Sequence, residues 1–367
     1  MLIANGSLQQ PNYRVKTMAY EIDYFPVGDG ERGGDAIALR FGNLTGPRNE
    51  QAVVVIDGGF KESGERLVKH IKDFYGTDRA DLVVSTHPDA DHSSGLCVVL
   101  ENMSVGQLAM HRPWEHATQI KEFFKSGRIT ASGLGEILEK SLQNASDLEV
   151  LATKKSIPIV EPFQGVTGFN DAVRILGPSQ QYYEALLAHF RSTPEPTKAL
   201  GIFAPIQKAA EEVAKRIRDF WHIDLLDDDD DTTSAENNTS TIILFTIDGH
   251  KLLFTGDAGK TALLNAIAYA EGIGISLAGM NFLDVPHHGS KRNLNSKILK
   301  KMNASTAFIS APAESTKHPA KKVTNALKKH GAKVYINRAG TLRHHYNAPP
   351  RNWGPAPEEP FFELVEE

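Results

Sequence analysis

Four potential metal ligands fall within six residues in Ser85-Thr86-His87-Pro88-Asp89-Ala90-Asp91-His92. Alternate positions 87, 89 and 91 can turn side chains to one side of an extended segment, while the adjacent pair 91 and 92 points two ways and can serve two ions. Two later segments repeat the chemistry, Gly256-Asp257 and Pro286-His287-His288-Gly289-Ser290. Carboxylate and imidazole donors of this kind suit two divalent cations that share a carboxylate and activate a water. A single cysteine, Cys97, excludes an intramolecular disulfide and a zinc site of several thiolates, so any metal is held by histidine and carboxylate. Cys97 itself stands between Leu96 and Val98-Val99-Leu100 and reads as an inert core residue.

Each motif follows a run that reads as a buried strand. Residues 51–56 (QAVVVI) stop at Asp57-Gly58-Gly59, residues 82–84 (LVV) stop at the histidine-aspartate loop, 251–255 stop at Gly256-Asp257, and 281–285 stop at the His287-His288 pair. Further strands are expected at 173–176, 241–247, 306–310 and 333–336, after an opening hairpin within 20–41. Helices are expected at 62–75, where Leu67, Val68, Ile71 and Phe74 share one face, and at 117–125, 135–141, 181–190, 205–221, 260–269 and 319–330. Strand alternating with helix makes an α/β layered fold. One domain is expected over 1–345, interrupted at 180–236 by a helical, acidic insertion that could dock a protein partner. The five aspartates at 227–231 read as a solvated loop. The Pro- and Glu-rich tail, 346–367, reads as a poorly packed extension that closes with a short strand at Phe361–Val365.

VVVIDGG, STHPDADH, FTGDA and VPHHGS, in that order and each after a strand, resemble the metallo-β-lactamase superfamily, which implies an αββα sandwich. A narrower resemblance is to the hydrolase domain of the ComEC competence DNA channel and its stand-alone relatives. It rests on residues 24–36 (the opening VGQGD-like strand), Asn237-Asn238-Thr239-Ser240, and the segments 307–319 and 334–340. Carried over by position, the family pattern implies that His87 and Asp89 hold one ion, and that Asp91, His92 and a histidine of the 287/288 pair hold the other. Asp257 then bridges both; His287, first past the strand, is favoured, with His288 left open. Asp57 is implied as a hydrogen-bond partner rather than a ligand. No histidine occupies the family's third-motif place, so Asn238 or Ser240 could face the first ion. That oxygen-rich set shifts the expectation from zinc towards manganese or magnesium. Asp91 and His318, the latter before Pro319, are the implied catalytic residues.

Composition argues about the substrate. The 40 Lys+Arg and 45 Asp+Glu give a net charge of −5. Between His287 and His345, however, thirteen basic residues face one acid, Glu314, while the residues before and after are acidic. A cationic wall carrying both the 287/288 and 318 loops favours a phosphodiester over a β-lactam or lactone. The expectation is therefore a metal-dependent phosphodiesterase, a nuclease acting on DNA or RNA, with Lys291, Arg292, Lys317 and His111 on the substrate. A hydrolase of small phosphoesters or nucleotide messengers is the alternative, and a regulatory or binding subunit that kept the fold is a third. No apolar run approaches a membrane span and the opening MLIANGSLQQPNYR has no apolar core, so a cytoplasmic location is expected.

Overall fold

The computed structural model describes residues 2–3, 18–28, 31, 33–124, 130–194, 216–221, 225–226 and 231–366. The chain runs through β1 (Leu2–Ile3), β2 (Ala19–Tyr24), β3 (Ala36–Gly42), β4 (Gln51–Gly58), α1 (Lys61–His70), β5 (Leu82–Val84), α2 (Ala90–Asn102), β6 (Leu108–Ala109), α3 (Ala131–Ser141), α4 (Gln143–Lys154) and β7 (Ile159–Val160). It continues through β8 (Thr167–Gly168), β9 (Val173–Gly177), α5 (Gln180–Leu187), α6 (Ala235–Asn238), β10 (Ile242–Ile247), β11 (His250–Phe254), α7 (Lys260–Gly272), β12 (Phe282–Asp284), α8 (Ser296–Lys301), β13 (Thr306–Ser310), α9 (Lys321–Lys329), β14 (Lys333–Asn337) and β15 (Leu342–Tyr346). One sheet has the order β15-β2-β3-β4-β5-β6-β7 and the other β1-β8-β9-β10-β11-β12-β13-β14.

Strand alternation builds the layers. Val54 and Ile56 point into the space between the sheets, where they meet Ile243, Phe245, Leu252 and Phe254, whereas Val53 and Val55 point out against Leu67, Leu96, Val99 and Leu148 of the helices. Leu244, Leu253 and Leu283 of the other sheet point out against α5, α7, α8 and α9 in the same way. Strands β4, β5 and β10 to β12 are thus apolar on both faces, which is why they read as nearly continuous apolar runs. The result is the αββα sandwich. Among the described residues no helix is long and apolar enough to cross a membrane.

In each sheet an antiparallel part passes into a parallel one. Strands β4 to β7 run parallel, as do β11 to β14. The loops at the carboxyl ends of β4, β5, β11 and β12 carry the motif residues, and the two sheets are tied there by Thr241 N–H donating to Thr86 O at 2.9 Å. The close seat of α2 requires glycine: a Cβ on Gly95 would lie 2.0 Å from Gly58 O.

Three expectations are corrected. The helix expected at 62–75 is α-helical only to His70; a wider π-type turn at Ile71–Tyr75 rotates Phe74 outwards, 44% exposed, and Tyr75 inwards. The helix expected at 205–221 is contradicted at its end, where Arg216–Arg218 is a strand paired with Leu364–Glu366; residues 205–215 lie outside the described residues. The tail is also anchored rather than loose. Glu359 N–H donates to Val334 O, Val365 is buried, and Arg351 spans the outer face of β2, donating to Asp23 Oδ1 at 2.9 Å and Glu21 Oε2 at 2.9 Å.

Asp23 also accepts from Tyr75 Oη at 2.7 Å and pairs with His70 Nε2 at 3.0 Å. Burial opposes its charge, but His70, Arg351 and Tyr75 together hold its carboxyl below the usual carboxylate range. A depressed carboxyl contributes stability that is present above its unfolded value and is lost as pH falls through the folded one. Unfolding free energy should therefore decline below about pH 4, and Asp23→Asn should flatten that part of the profile in denaturant titrations. An unchanged slope would remove Asp23 from the account.

Candidate metal centre

Every motif residue sits at or just past a strand end, and each is aimed by its own local device. Asp57 closes β4 in the left-handed region, at φ 53°, and accepts from Thr86 N–H at 2.8 Å, Thr86 Oγ1 at 2.6 Å and His92 Nδ1 at 2.8 Å. With its hydroxyl hydrogen given to Asp57, Thr86 Oγ1 accepts from His87 Nδ1 at 3.0 Å. One buried carboxylate thereby fixes the tautomers of two imidazoles and turns both Nε2 atoms towards Asp257. Asp91 and His92 lie in the first turn of α2, and the loop before β3 presses on them so closely that a Cβ on Gly34 would lie 1.8 Å from Asp91 O.

The opposite half of the site comes from the second sheet. His287 and His288 both adopt left-handed backbone, at φ 48° and 55°, which splays the two rings towards one carboxylate. Asn293 Oδ1 accepts from His287 Nδ1 at 3.0 Å, and the Asn293 amide is itself oriented by donating to Asp257 O and Ala258 O, each at 3.1 Å. Four imidazole nitrogens converge on Asp257. His92 Nε2 is 3.5 Å and His288 Nε2 3.7 Å from Oδ1; His287 Nε2 is 3.7 Å and His87 Nε2 3.9 Å from Oδ2.

The electrostatics follow from this crowding. Burial opposes charge on Asp257, but His287, His92, His288 and His87 outweigh it and hold the carboxyl well below the usual range. Burial, reinforced by the neighbouring His92, pushes His87 well below its ordinary value, so its Nε2 carries a free lone pair. His87 Nε2, His92 Nε2, Asp257 Oδ1 and both ring nitrogens of His288 are buried with no hydrogen-bond partner. Orphaned donors of this kind are costly in a folded interior unless a cation meets them. The donor set, imidazole and carboxylate with second nitrogens already hydrogen-bonded, fits divalent metal. Groups able to hold an ion within 4.8 Å are Asp57/His87/His92, Asp91/His92/His288 and Asp35/His92/Asp257.

The structure brings His87, Asp91, His92, Asp257, His287 and His288 together, with Asp57 behind them as a hydrogen-bond partner. His318 joins them, its ring stacked on His287 at 5.7 Å. Asp89 is turned instead towards Arg191, Oδ2 to Nη2 at 3.5 Å; burial lifts its carboxyl to about 6. Asn238 and Ser240 act through backbone, accepting from Gly259 N–H at 3.2 Å and Asp257 N–H at 3.0 Å. Lys291, Arg292 and Lys317 lie outside the cluster on the His288 and His318 loops, Arg292 and Lys317 exposed. His111 is buried beneath the His87 loop, its ring 4.5 Å from that of Tyr183, and burial lowers it to about 3.

Two participants have no role assigned from the sequence. Asp35 approaches His92 Nδ1 and His288 Nδ1, each at 3.9 Å. Its signal was Gly33-Gly34-Asp35 ending the opening turn. Asn237, next to Asn238, donates to Asp257 Oδ2 at 3.1 Å, and Ser234 Oγ donates to its carbonyl at 2.8 Å to fix the amide. The charge argument also changes. Lys301, Lys328, Lys329, Arg338 and Arg343 of the basic segment pair with Glu271, Glu358, Asp219, Glu359 and Glu21, so part of that segment is balanced by acids from elsewhere in the chain.

Among solved structures the chain is similar to a Thermotoga maritima protein assigned to the metallo-beta-lactamases, at 12% identity over 65% of this chain and 78% of that one, TM-score 0.32. It is also similar to a diphosphatase of the PhnP family, at 11% identity over 90% of this chain and 99% of that one, TM-score 0.39. No curated protein matches it. The sequence model of the metallo-beta-lactamase superfamily matches residues 48–313, from the approach to β4 to the loop after β13. That span is well over half the chain and holds every histidine and carboxylate facing Asp257 except Asp35 and the flanking His318, and the chain belongs to this superfamily.

Proposed function

We propose that the protein is a metal-dependent hydrolase of phosphodiesters, with DNA or RNA the substrate to test first. The observation that carries the reading is the set of buried imidazole nitrogens without partners around Asp257, with His318 stacked on its open side. His87, with Asp89 once that carboxylate is released from Arg191, would hold one ion; Asp91, His92 and His287 or His288 would hold a second, and Asp257 would stand between them. The first set is rich in oxygen, which favours manganese, with zinc and magnesium as competitors. Bound there, such ions supply Lewis acidity to an ester oxygen and lower the pKa of water.

The chain's own residues bind and orient. Asp57, Asn293 and Asn237 fix the imidazoles and Asp257 before anything binds, which spares that reorganisation during reaction. His318 is lowered to about 4 by burial, with His288 and His287 adding to the effect, so at neutral pH it is an uncharged donor for a phosphoryl or leaving oxygen. Lys291, Arg292 and Lys317 place positive charge on the same two loops. The resemblance to the ComEC hydrolase domain supports a polymeric substrate.

His318→Ala should lower kcat on a phosphodiester by about 10²-fold while leaving the metal content of the purified protein intact. A fall in metal content would instead make His318 a ligand or a support. The test of the reading itself is cleavage of DNA, RNA and dinucleotides with manganese, magnesium or zinc. Absence of phosphodiester cleavage with every metal sinks it. The pairing of five basic residues favours a second reading, a small phosphoester, because less free cationic surface is left for a long polymer. Steep loss of affinity with salt indicates the polymer, and a flat response the small ester.

A further inference from the structure

The insertion after α5 delivers one cation to the rim of the site. Arg191 lies in the turn that follows α5, and Glu236 Oε1 clamps it twice, accepting from its backbone N–H at 2.7 Å and standing 3.2 Å from Nε. Glu236 is buried and belongs to α6, the same short helix whose Asn237 donates to Asp257. The guanidinium is thereby fixed relative to the centre through two consecutive residues. Its outer end reaches Asp89 at 3.5 Å, yet the side chain remains 70% exposed. A planar fork of donors, held at its inner edge and open at its outer edge, is the geometry used to grip an oxyanion. A residue serving only to bolt α5 to α6 has no need of that open edge.

We infer that Arg191 is a specificity-determining residue: through it the insertion grips an anionic phosphoryl oxygen of the substrate at the rim of the metal centre. The inference rests on the phosphodiesterase reading. Its contact with Asp89 is long for a charge-assisted hydrogen bond and is the one a ligand oxygen would replace. Lysine lacks the fork, so it can restore the charge without restoring the bidentate grip.

The test compares wild-type protein with Arg191→Ala and Arg191→Lys in the full chain, loaded with manganese. Three readouts are taken: kcat and KM on a dinucleotide, binding of its phosphorothioate analogue by calorimetry, and thermal unfolding. Arg191→Ala should raise KM and the analogue's Kd by about tenfold to a hundredfold, with Tm and kcat close to wild type, and Arg191→Lys should recover part of the loss. Unchanged KM and Kd overturn the inference. So does a loss of kcat and Tm that lysine fully repairs, because that is the behaviour of a structural bolt. Wild-type protein that cleaves no phosphodiester sinks the functional reading alone; weaker analogue binding by Arg191→Ala would still support Arg191, and equal binding would overturn it.

Discussion

Asp257→Ala should empty the centre of metal and lower phosphodiester turnover by about 10³-fold or more. Among the described residues Asp257 is the one carboxylate that all four converging imidazoles face, at 3.5 to 3.9 Å. Without it the centre keeps its imidazoles, of which His87 and His287 are already lowered by burial, and loses the charge that balances a divalent ion. Metal chemistry of this type supplies several kcal/mol of transition-state stabilisation, which corresponds to about 10³-fold in rate. Metal per chain, measured by plasma mass spectrometry after dialysis, reads the first effect, and single-turnover cleavage reads the second. Full metal content with retained activity would place the centre elsewhere. The fold should survive, because the Asp257 side chain accepts from Asn237 alone among the described residues and packs in none of the apolar clusters.

Asp57→Ala should act on stability first and on metal second. The change leaves Thr86 N–H, Thr86 Oγ1 and His92 Nδ1 without their buried acceptor, and puts a Cβ-bearing residue with no compensating hydrogen bond at φ 53°. Breaking a buried, charged network of this kind costs about 3–5 kcal/mol, or roughly 10 °C in Tm for a domain of this size. Metal affinity should fall by about 10–100-fold, since two imidazoles lose the partner that fixes their tautomers. Asp57→Asn separates the two effects. Asparagine tolerates the left-handed backbone and can still accept from Thr86 N–H, so stability should partly return. Its amide nitrogen, however, meets the donors of Thr86 and His92, so metal affinity should not. Equal recovery of both would show that Asp57 works by shape alone.

The strand-end motifs were legible because strands buried on two faces leave an unmistakable run, VVVI or LVV, that stops where polar residues begin. What lay hidden depended on pairings distant in sequence. Asp35 meets His92 and His288 at separations of 57 and 253 in the numbering, and nothing local marks it beyond two glycines. The turn that buries Tyr75 in place of Phe74 is a one-residue change in winding, which a 3.6-residue period cannot reveal. The charge segregation of the sequence survives folding only in part as a free surface, because acids of the body and tail come back to Lys328, Lys329 and Arg343. Arg191 is silent in the sequence for a similar reason: its meaning comes from Glu236, at the far end of the insertion.

The centre straddles the seam between the sheets. Asp57, His87 and His92 hang from one sheet, Asp257, His287 and His288 from the other, and Thr241 and Thr86 stitch the two edges. Two of the three groups able to hold an ion, Asp91/His92/His288 and Asp35/His92/Asp257, draw on both halves. An occupant of this seam therefore behaves as a rivet between two halves of one body: it resists their parting, and a chelator loosens the joint as well as emptying it. In rising denaturant the apo form should lose this alignment before it loses its helices, and the loaded form should let go of both together.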